Sequence, residues 1–109
     1  MTDLYLRERP TLRDIQLYVQ SLEKERGFEK HNSDPIKTAL QLTEEVGELC
    51  KAIRKKEHMH IAKDSRVSEV SDELADVLNF VVAIANRYKI DLEDAFRAKE
   101  EKNKKREWV

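Results

Sequence analysis

The amino-acid sequence predicts an all-α protein, a helical bundle of about four helices per chain. Charged and hydrophobic residues each make up 39% of the 109 residues. Only two Gly and two Pro are present, far fewer turn residues than an all-β fold of this length needs. Apolar residues recur at the three- and four-residue spacing of amphipathic helices in four separate segments. Together these observations favour a bundle.

The first helix is predicted from about Leu12 to Arg26. Thr11 is a suitable N-cap, and Asp14 three residues later has the spacing of a capping box. Gly27 follows the helix, in the position where a left-handed residue commonly ends it.

The second helix is predicted to begin at the pair Asp34-Pro35, an N-cap followed by Pro in the first turn, and to run to about Lys56. Its apolar face contains Ile36, Ala39, Leu42, Val46, Leu49 and Ile53. A separate stripe flanks that face and contains Gln41, Glu45, Glu48 and Ala52. The weakly periodic segment 57–66 is predicted to be a loop.

The third helix is predicted from about Val67 to Tyr88, and it is apolar over much of its circumference. Its predicted core face contains Val70, Leu74, Val77, Leu78, Val81 and Ile84. A different stripe carries Glu69, Glu73, Asp76 and Phe80. Helices of this kind are central in a fold or buried in an oligomer, so we expect homo-oligomerisation to complete the bundle.

The fourth helix is predicted to start after Asp91 as its cap, with Asp94 in the first turn, and to run towards Arg106. It becomes strongly basic along its length. One face of it carries Phe96, Lys99, Asn103 and Arg106.

Composition excludes several classes of function. The net charge of −1 gives no overall attraction to a nucleic-acid polymer or an anionic membrane. The longest apolar stretch, residues 80–85, is far too short to span a bilayer, and the N-terminus has no apolar signal region. The single Cys50 fits a reducing compartment and a packing role. We therefore expect a cytoplasmic protein.

Two pairs of carboxylates carry the chemical signal. Glu45 and Glu48 lie three residues apart on the second helix, as do Glu73 and Asp76 on the third. If these edges face each other, each pair of like charges costs about 1 kcal/mol even at the dielectric of water, so the cluster requires a cation. Oxygen ligands favour Mg²⁺ or Mn²⁺.

Simpler explanations exist for each group alone. Glu48 has Lys51 and Lys55 nearby, as expected for a solvated, ion-paired helix face. His58 and His60 lie in the predicted loop, where they are expected to be surface residues rather than metal ligands.

The sequence EEVGE at residues 44–48, followed after 24 residues by ExxD at residues 73–76, resembles the EExxE–ExxD signature of MazG-like nucleotide pyrophosphohydrolases. The basic last helix resembles the C-terminal Lys…Asn…Arg element of the same all-α superfamily. The resemblance covers about residues 35–106 of what we interpret as a single domain, residues 1–109.

This resemblance implies Mg²⁺-dependent hydrolysis of a nucleoside triphosphate to the monophosphate and pyrophosphate, in nucleotide pool house-cleaning. It implies metal ligation by Glu45, Glu48, Glu73 and Asp76, and catalytic roles for Glu44 and Glu45, with Glu44 supporting a second metal or orienting the water. The implied substrate-binding residues are Asn79, Lys99, Asn103 and Arg106. A homodimer or homotetramer is also implied. The alternative is a non-catalytic dimeric adaptor or nucleotide-binding regulator, which would show no metal-dependent turnover.

Overall fold

Four α-helices form the fold in the computed structural model, which describes residues 4–27 and 34–107. They are α1 (Leu12–Glu25), α2 (Pro35–Lys56), α3 (Val70–Arg87) and α4 (Leu92–Lys104). The described ranges contain no strand. The all-α prediction is therefore confirmed, with α3 beginning three residues later than predicted.

The N-termini of α1, α2 and α4 form as the sequence predicts. The Thr11 N–H donates to Asp14 Oδ2 at 2.9 Å, and the Asp14 N–H donates to Thr11 Oγ1 at 3.1 Å, which completes the capping box of α1. Asp34 and Asp91 each accept a backbone N–H at 2.9 Å at the starts of α2 and α4. Side chains thus satisfy N–H groups that these helix ends would otherwise leave unpaired.

Three helices end at a residue with left-handed backbone. Gly27 after α1 has φ 70°, as its position predicts, but His58 after α2 has φ 59° and Lys89 after α3 has φ 55°. At both of the latter the next N–H reaches back to the carbonyl five residues earlier, Met59 to Arg54 at 2.7 Å and Ile90 to Ala85 at 2.9 Å. This hydrogen-bond pattern closes the helix end and fixes where the following loop begins.

Helix α3 lies between α2 and α1. It packs most extensively on α2, while α1 packs on both α3 and α4. Glu73 and Val82 are both buried, and their nine-residue separation places them on opposite sides of α3. Each side therefore faces a different neighbouring helix.

The hydrophobic core of the chain is small. Within residues 4–27 and 34–107, the buried apolar residues are Val19, Leu22, Ala52, Val82 and Ala85. The radius of gyration is 16.6 Å, against about 13 Å for a compact domain of this length. A single chain is therefore open, with few residues shielded on all sides.

The predicted core faces of α2 and α3 are only partly buried in the single chain. Leu74, Leu78 and Val81 on α3 are 52%, 42% and 37% exposed, because they occupy the edge between the sides that contact α1 and α2. On α2, Ala52 is buried while Val46 and Ile53 remain exposed. The stripe that carries the carboxylates, rather than the apolar stripe, faces α3.

A polar network joins α1 to the junction between α3 and α4. The buried amide of Gln16 donates to Asn86 Oδ1 at 3.1 Å and to the Ile90 carbonyl at 2.8 Å, and it accepts the Leu92 N–H at 2.9 Å. Asn86 Nδ2 donates in return to the Gln16 carbonyl at 2.9 Å. The network fixes the start of α4 against α1.

None of the described helices combines the length and the apolarity that crossing a bilayer requires.

Candidate metal centre

Helices α2 and α3 form an antiparallel hairpin joined by residues 57–69. Glu45, near the middle of α2, lies beside Glu73 and Asp76 of α3. The last turn of α2, with Ala52 and Lys55, borders the first residue of α3, Val70. The two acidic edges predicted from the sequence therefore face each other across one groove.

Three of the predicted ligands converge in this groove. Glu45, Glu73 and Asp76 each place one carboxylate oxygen within 4.8 Å of the other two. Glu73 is buried, Glu45 is half-buried and Asp76 is exposed. The cluster is therefore closed around Glu73 and open to solvent beside Asp76, so that a ligand can enter.

Glu73 is the most constrained member of the cluster. Its side chain is only 6% exposed, and its buried Oε2 atom has no hydrogen-bond partner among the residues that the structure describes. A buried carboxylate oxygen without a partner is costly and uncommon in folded proteins, because its lost hydration is not replaced. A cation at this position would supply the missing interaction.

The negative charge of the cluster affects the pKa of Glu45. Its pKa is raised, first by burial and then by the neighbouring negative charges of Asp76, Glu73, Glu48 and Glu44. Burial and like charges both disfavour the ionised form. One divalent cation would reduce the mutual repulsion of these five carboxylates.

The residues present fit a divalent cation. Carboxylate oxygens are the ligands that Mg²⁺ and Mn²⁺ prefer, and opposing oxygens on Mg²⁺ are about 4 Å apart. The observed spread of 4.8 Å is close to that separation, and the exposed Asp76 side chain has room to adjust. The cluster could therefore hold such an ion.

Glu48 and Glu44 lie at the edge of the cluster. Glu48 forms an ion pair with Lys51 at 3.6 Å, on a side chain that is 45% exposed. Glu44 is exposed on the turn next to Glu45. Both still contribute negative charge at Glu45, so neither is remote from it.

The predicted substrate-binding residues occupy two places. Asn79 is half-buried on α3, one turn beyond Asp76 and therefore beside the cluster. Lys99 and Asn103 are on α4, which packs against α1, and Arg106 follows the end of α4. The α4 residues thus belong to a different packing pair from the carboxylate hairpin.

The predicted loop contains His58 and His60. His58 and His60 lie between α2 and α3, and within residues 4–27 and 34–107 neither joins a group of three potential metal ligands. His58 instead lines a cavity of about 300 Å³ at the end of the hairpin, together with Lys55 and Lys56. The sequence alone indicates Lys55 only as a partner for Glu48. Extending the stripe Glu45–Glu48–Ala52 by three residues would have reached it.

The fold and this groove together define a class of protein, an all-α helical bundle with a carboxylate cluster suited to a divalent cation. The profile of the MazG nucleotide pyrophosphohydrolase domain matches residues 33–108. The chain therefore belongs to the MazG nucleotide pyrophosphohydrolase family.

A relative from Bacillus subtilis (strain 168), named uncharacterized protein YvdC, is similar along most of the chain. It is 29% identical over 102 residues, which cover 87% of this chain and 94% of that protein. Its name describes no activity.

Proposed function

We propose that this protein is a Mg²⁺-dependent nucleoside triphosphate pyrophosphohydrolase that converts a (d)NTP to the (d)NMP and pyrophosphate, with Mn²⁺ as a possible substitute. The observation that carries the proposal is the convergence of Glu45, Glu73 and Asp76 around a buried, unpartnered oxygen of Glu73. Family membership gives the class of reaction. Removal of non-standard or surplus nucleotides from the pool is the corresponding cellular role.

The carboxylate hairpin holds the metal in this proposal. Glu45, Glu73 and Asp76 would be the direct ligands. Glu48 would be the fourth if it left its ion pair with Lys51, an exposed pair of the kind that contributes little stability. When bound, the cation neutralises charge on the phosphates and favours attack on the anhydride. Glu44 and Glu45 orient the attacking water and accept its proton.

The substrate is held by groups outside the cluster. Asn79 lies one turn beyond Asp76 and contacts the sugar or a phosphate. Lys99, Asn103 and Arg106 supply donors for phosphate oxygens, with Arg106 offering a two-pronged contact. Water attacks the α-phosphorus, the bond to the bridging oxygen breaks, and pyrophosphate leaves.

A homodimer or homotetramer is part of the proposal. The exposed edge of Leu74, Leu78 and Val81 on α3 and the small core both leave apolar surface that a second copy would cover. Light scattering on the purified protein measures this directly. A monomer at micromolar concentration would remove the oligomer from the proposal.

Incubation with a panel of nucleotides and Mg²⁺ tests the reaction, with pyrophosphate resolved from orthophosphate. Pyrophosphate release is expected, and orthophosphate as the sole inorganic product would exclude cleavage between the α- and β-phosphates. Glu45→Gln is expected to abolish turnover while the bundle stays folded. Glu25→Gln, an exposed site on α1, is the matched control for loss of one negative charge.

A further inference from the structure

The cavity at the end of the α2–α3 hairpin has the composition of an anion site. It has a volume of about 300 Å³ and is lined on the α2 side by Ala52, Lys55 and Lys56, and beyond it by His58. Ser68, Glu69 and Val70 line it on the α3 side. Lys55 and Lys56 form no ion pair within the part of the chain that the structure describes, although Glu69 borders the same space. Two ammonium groups are therefore available to an outside anion.

The backbone on the α3 side adds to this character. Glu69 is the N-cap of α3 but makes no side-chain capping hydrogen bond, so the first N–H groups of the helix have no side-chain partner there. Such N–H groups and the positive end of the helix favour an anion. The carboxylates of Glu69 and Asp72 oppose it; both are exposed, where solvent screens them.

A second, independent observation marks the same groove as a ligand site. Glu73 lies in the first turn of α3, 6% exposed, with its buried Oε2 atom unpartnered. A cation would satisfy that oxygen, whereas the neighbouring cavity favours an anion. A ligand that satisfies both carries a divalent cation and several negative charges, as a metal-bound polyphosphate does.

The antiparallel arrangement gives the groove a direction. Along α3 the order is the cavity at Val70, then Glu73, Asp76 and Asn79, each about one turn or 4.5 Å further on. The cavity and Asn79 therefore lie on opposite sides of the carboxylate cluster.

We propose that the cavity lined by Lys55 and Lys56 holds the β- and γ-phosphates of the substrate, and the pyrophosphate product after cleavage. This inference rests on the proposed function. The α-phosphate then lies at the carboxylate cluster, and the nucleoside extends towards Asn79. The arrangement selects a triphosphate tail, because a shorter chain cannot reach the cluster and fill the cavity at once.

Binding of inorganic pyrophosphate to metal-free protein tests the cavity without any turnover. Calorimetry in EDTA at low ionic strength is expected to show binding that weakens about tenfold in the double variant Lys55→Gln/Lys56→Gln, as for lost charge-assisted hydrogen bonds. The control Lys37→Gln/Lys63→Gln removes the same charge from exposed positions outside the cavity and is expected to leave binding unchanged. Thermal melting checks that both variants fold.

Two results would contradict the proposal that the cavity binds pyrophosphate. One is the absence of pyrophosphate binding to the wild-type protein, or an equal affinity in both double variants. The other is a loss confined to Lys99→Gln, which would assign the anion to α4. In turnover assays, the inhibition constant of pyrophosphate is expected to rise about tenfold in the cavity variant while that of the nucleoside monophosphate stays constant. The wild-type protein could show no turnover while the metal-free double variant Lys55→Gln/Lys56→Gln loses affinity for pyrophosphate as expected. That result would contradict the proposed reaction but support the cavity as an anion site.

Discussion

The two polar regions on either side of α3 differ in how their buried groups are satisfied. At the junction with α1 and α4, the Gln16 amide has a partner for both its donor and its acceptor atoms, all within 3.1 Å. In the groove with α2, the buried Oε2 of Glu73 has none, and the pKa of Glu45 is raised by burial and by its acidic neighbours. The first region is complete within the chain, whereas the second is incomplete.

Whether buried polar groups are paired distinguishes residues that stabilise the fold from residues that are suited to bind a ligand. A neutral amide network whose members are all paired adds rigidity and specifies one arrangement of helices. A cluster of carboxylates opposes folding unless a cation binds. Proteins keep such unfavourable groups mainly at functional sites.

Substitution of Glu73, in the groove between α2 and α3, is expected to have the greatest effect. Glu73→Gln removes the buried charge and a proposed ligand, so Mg²⁺-dependent turnover is expected to fall by more than about 100-fold. The unfolding free energy of the metal-free protein is expected to hold or increase, because one of several neighbouring like charges is gone. Steady-state kinetics and urea denaturation in EDTA measure the two quantities. A stability loss without an activity loss would make Glu73 a structural residue instead.

Substitution of Gln16, in the network between α1 and the α3–α4 junction, is expected to have the second-greatest effect. Gln16→Leu leaves the part-buried Leu92 N–H and Ile90 carbonyl without their partner, and an unsatisfied group costs about 1–3 kcal/mol when it is shielded from water. Urea denaturation is expected to show a loss of about 2–3 kcal/mol of unfolding free energy. The rise in melting temperature caused by Mg²⁺ is expected to remain, since the cluster is untouched. If that rise disappears, the two regions are coupled through α3.

The pH dependence of stability is expected to show the smallest effect. Because the folded-state pKa of Glu45 is above its ordinary value of 4.5, the folded protein binds a proton more readily than the unfolded chain. Metal-free stability is therefore expected to decrease as pH rises from 4.5 through the raised pKa. The stability contribution of Asp14 depends on pH in the opposite direction. Hydrogen bonds from Thr11 lower the pKa of Asp14, so its contribution to stability is lost as pH falls below 3.8.

Glu45→Gln isolates the Glu45 contribution in denaturation curves collected from pH 4, below the ordinary pKa of 4.5, upwards to pH 7. The wild-type protein is expected to lose stability relative to the variant as pH rises, and saturating Mg²⁺ is expected to cancel that trend. A pH-independent difference would show that Glu45 does not titrate differently in the folded protein.

The sequence predicts the local features of this fold well. Thr11, Asp34 and Asp91 cap helices as expected, because a cap depends on residues within one turn. The positions of the other C-terminal left-handed residues were not predictable, since His58 and Lys89 occupy a conformation usually taken by Gly. There the tertiary structure overrides the local preference.

The faces that pack could not be predicted in the same way. Helix α3 is apolar around much of its circumference, so periodicity alone did not show that Glu73 would be buried and Leu74 exposed. The carboxylate motif did predict that Glu45 meets Glu73 and Asp76. The spacing within the motif did not indicate the cavity at Lys55 and Lys56, because it forms only where the loop brings α2 and α3 together.

The hairpin also bears on the order in which the chain folds. Glu45 and Glu73 are separated by 28 residues, whereas the hydrogen bond from Leu92 to Gln16 joins residues 76 apart. Closing the longer loop costs about 1 kcal/mol more in chain entropy, so the α2–α3 hairpin is expected to form before α1 and α4 dock. A divalent cation present during refolding would then accelerate the earliest step rather than the last.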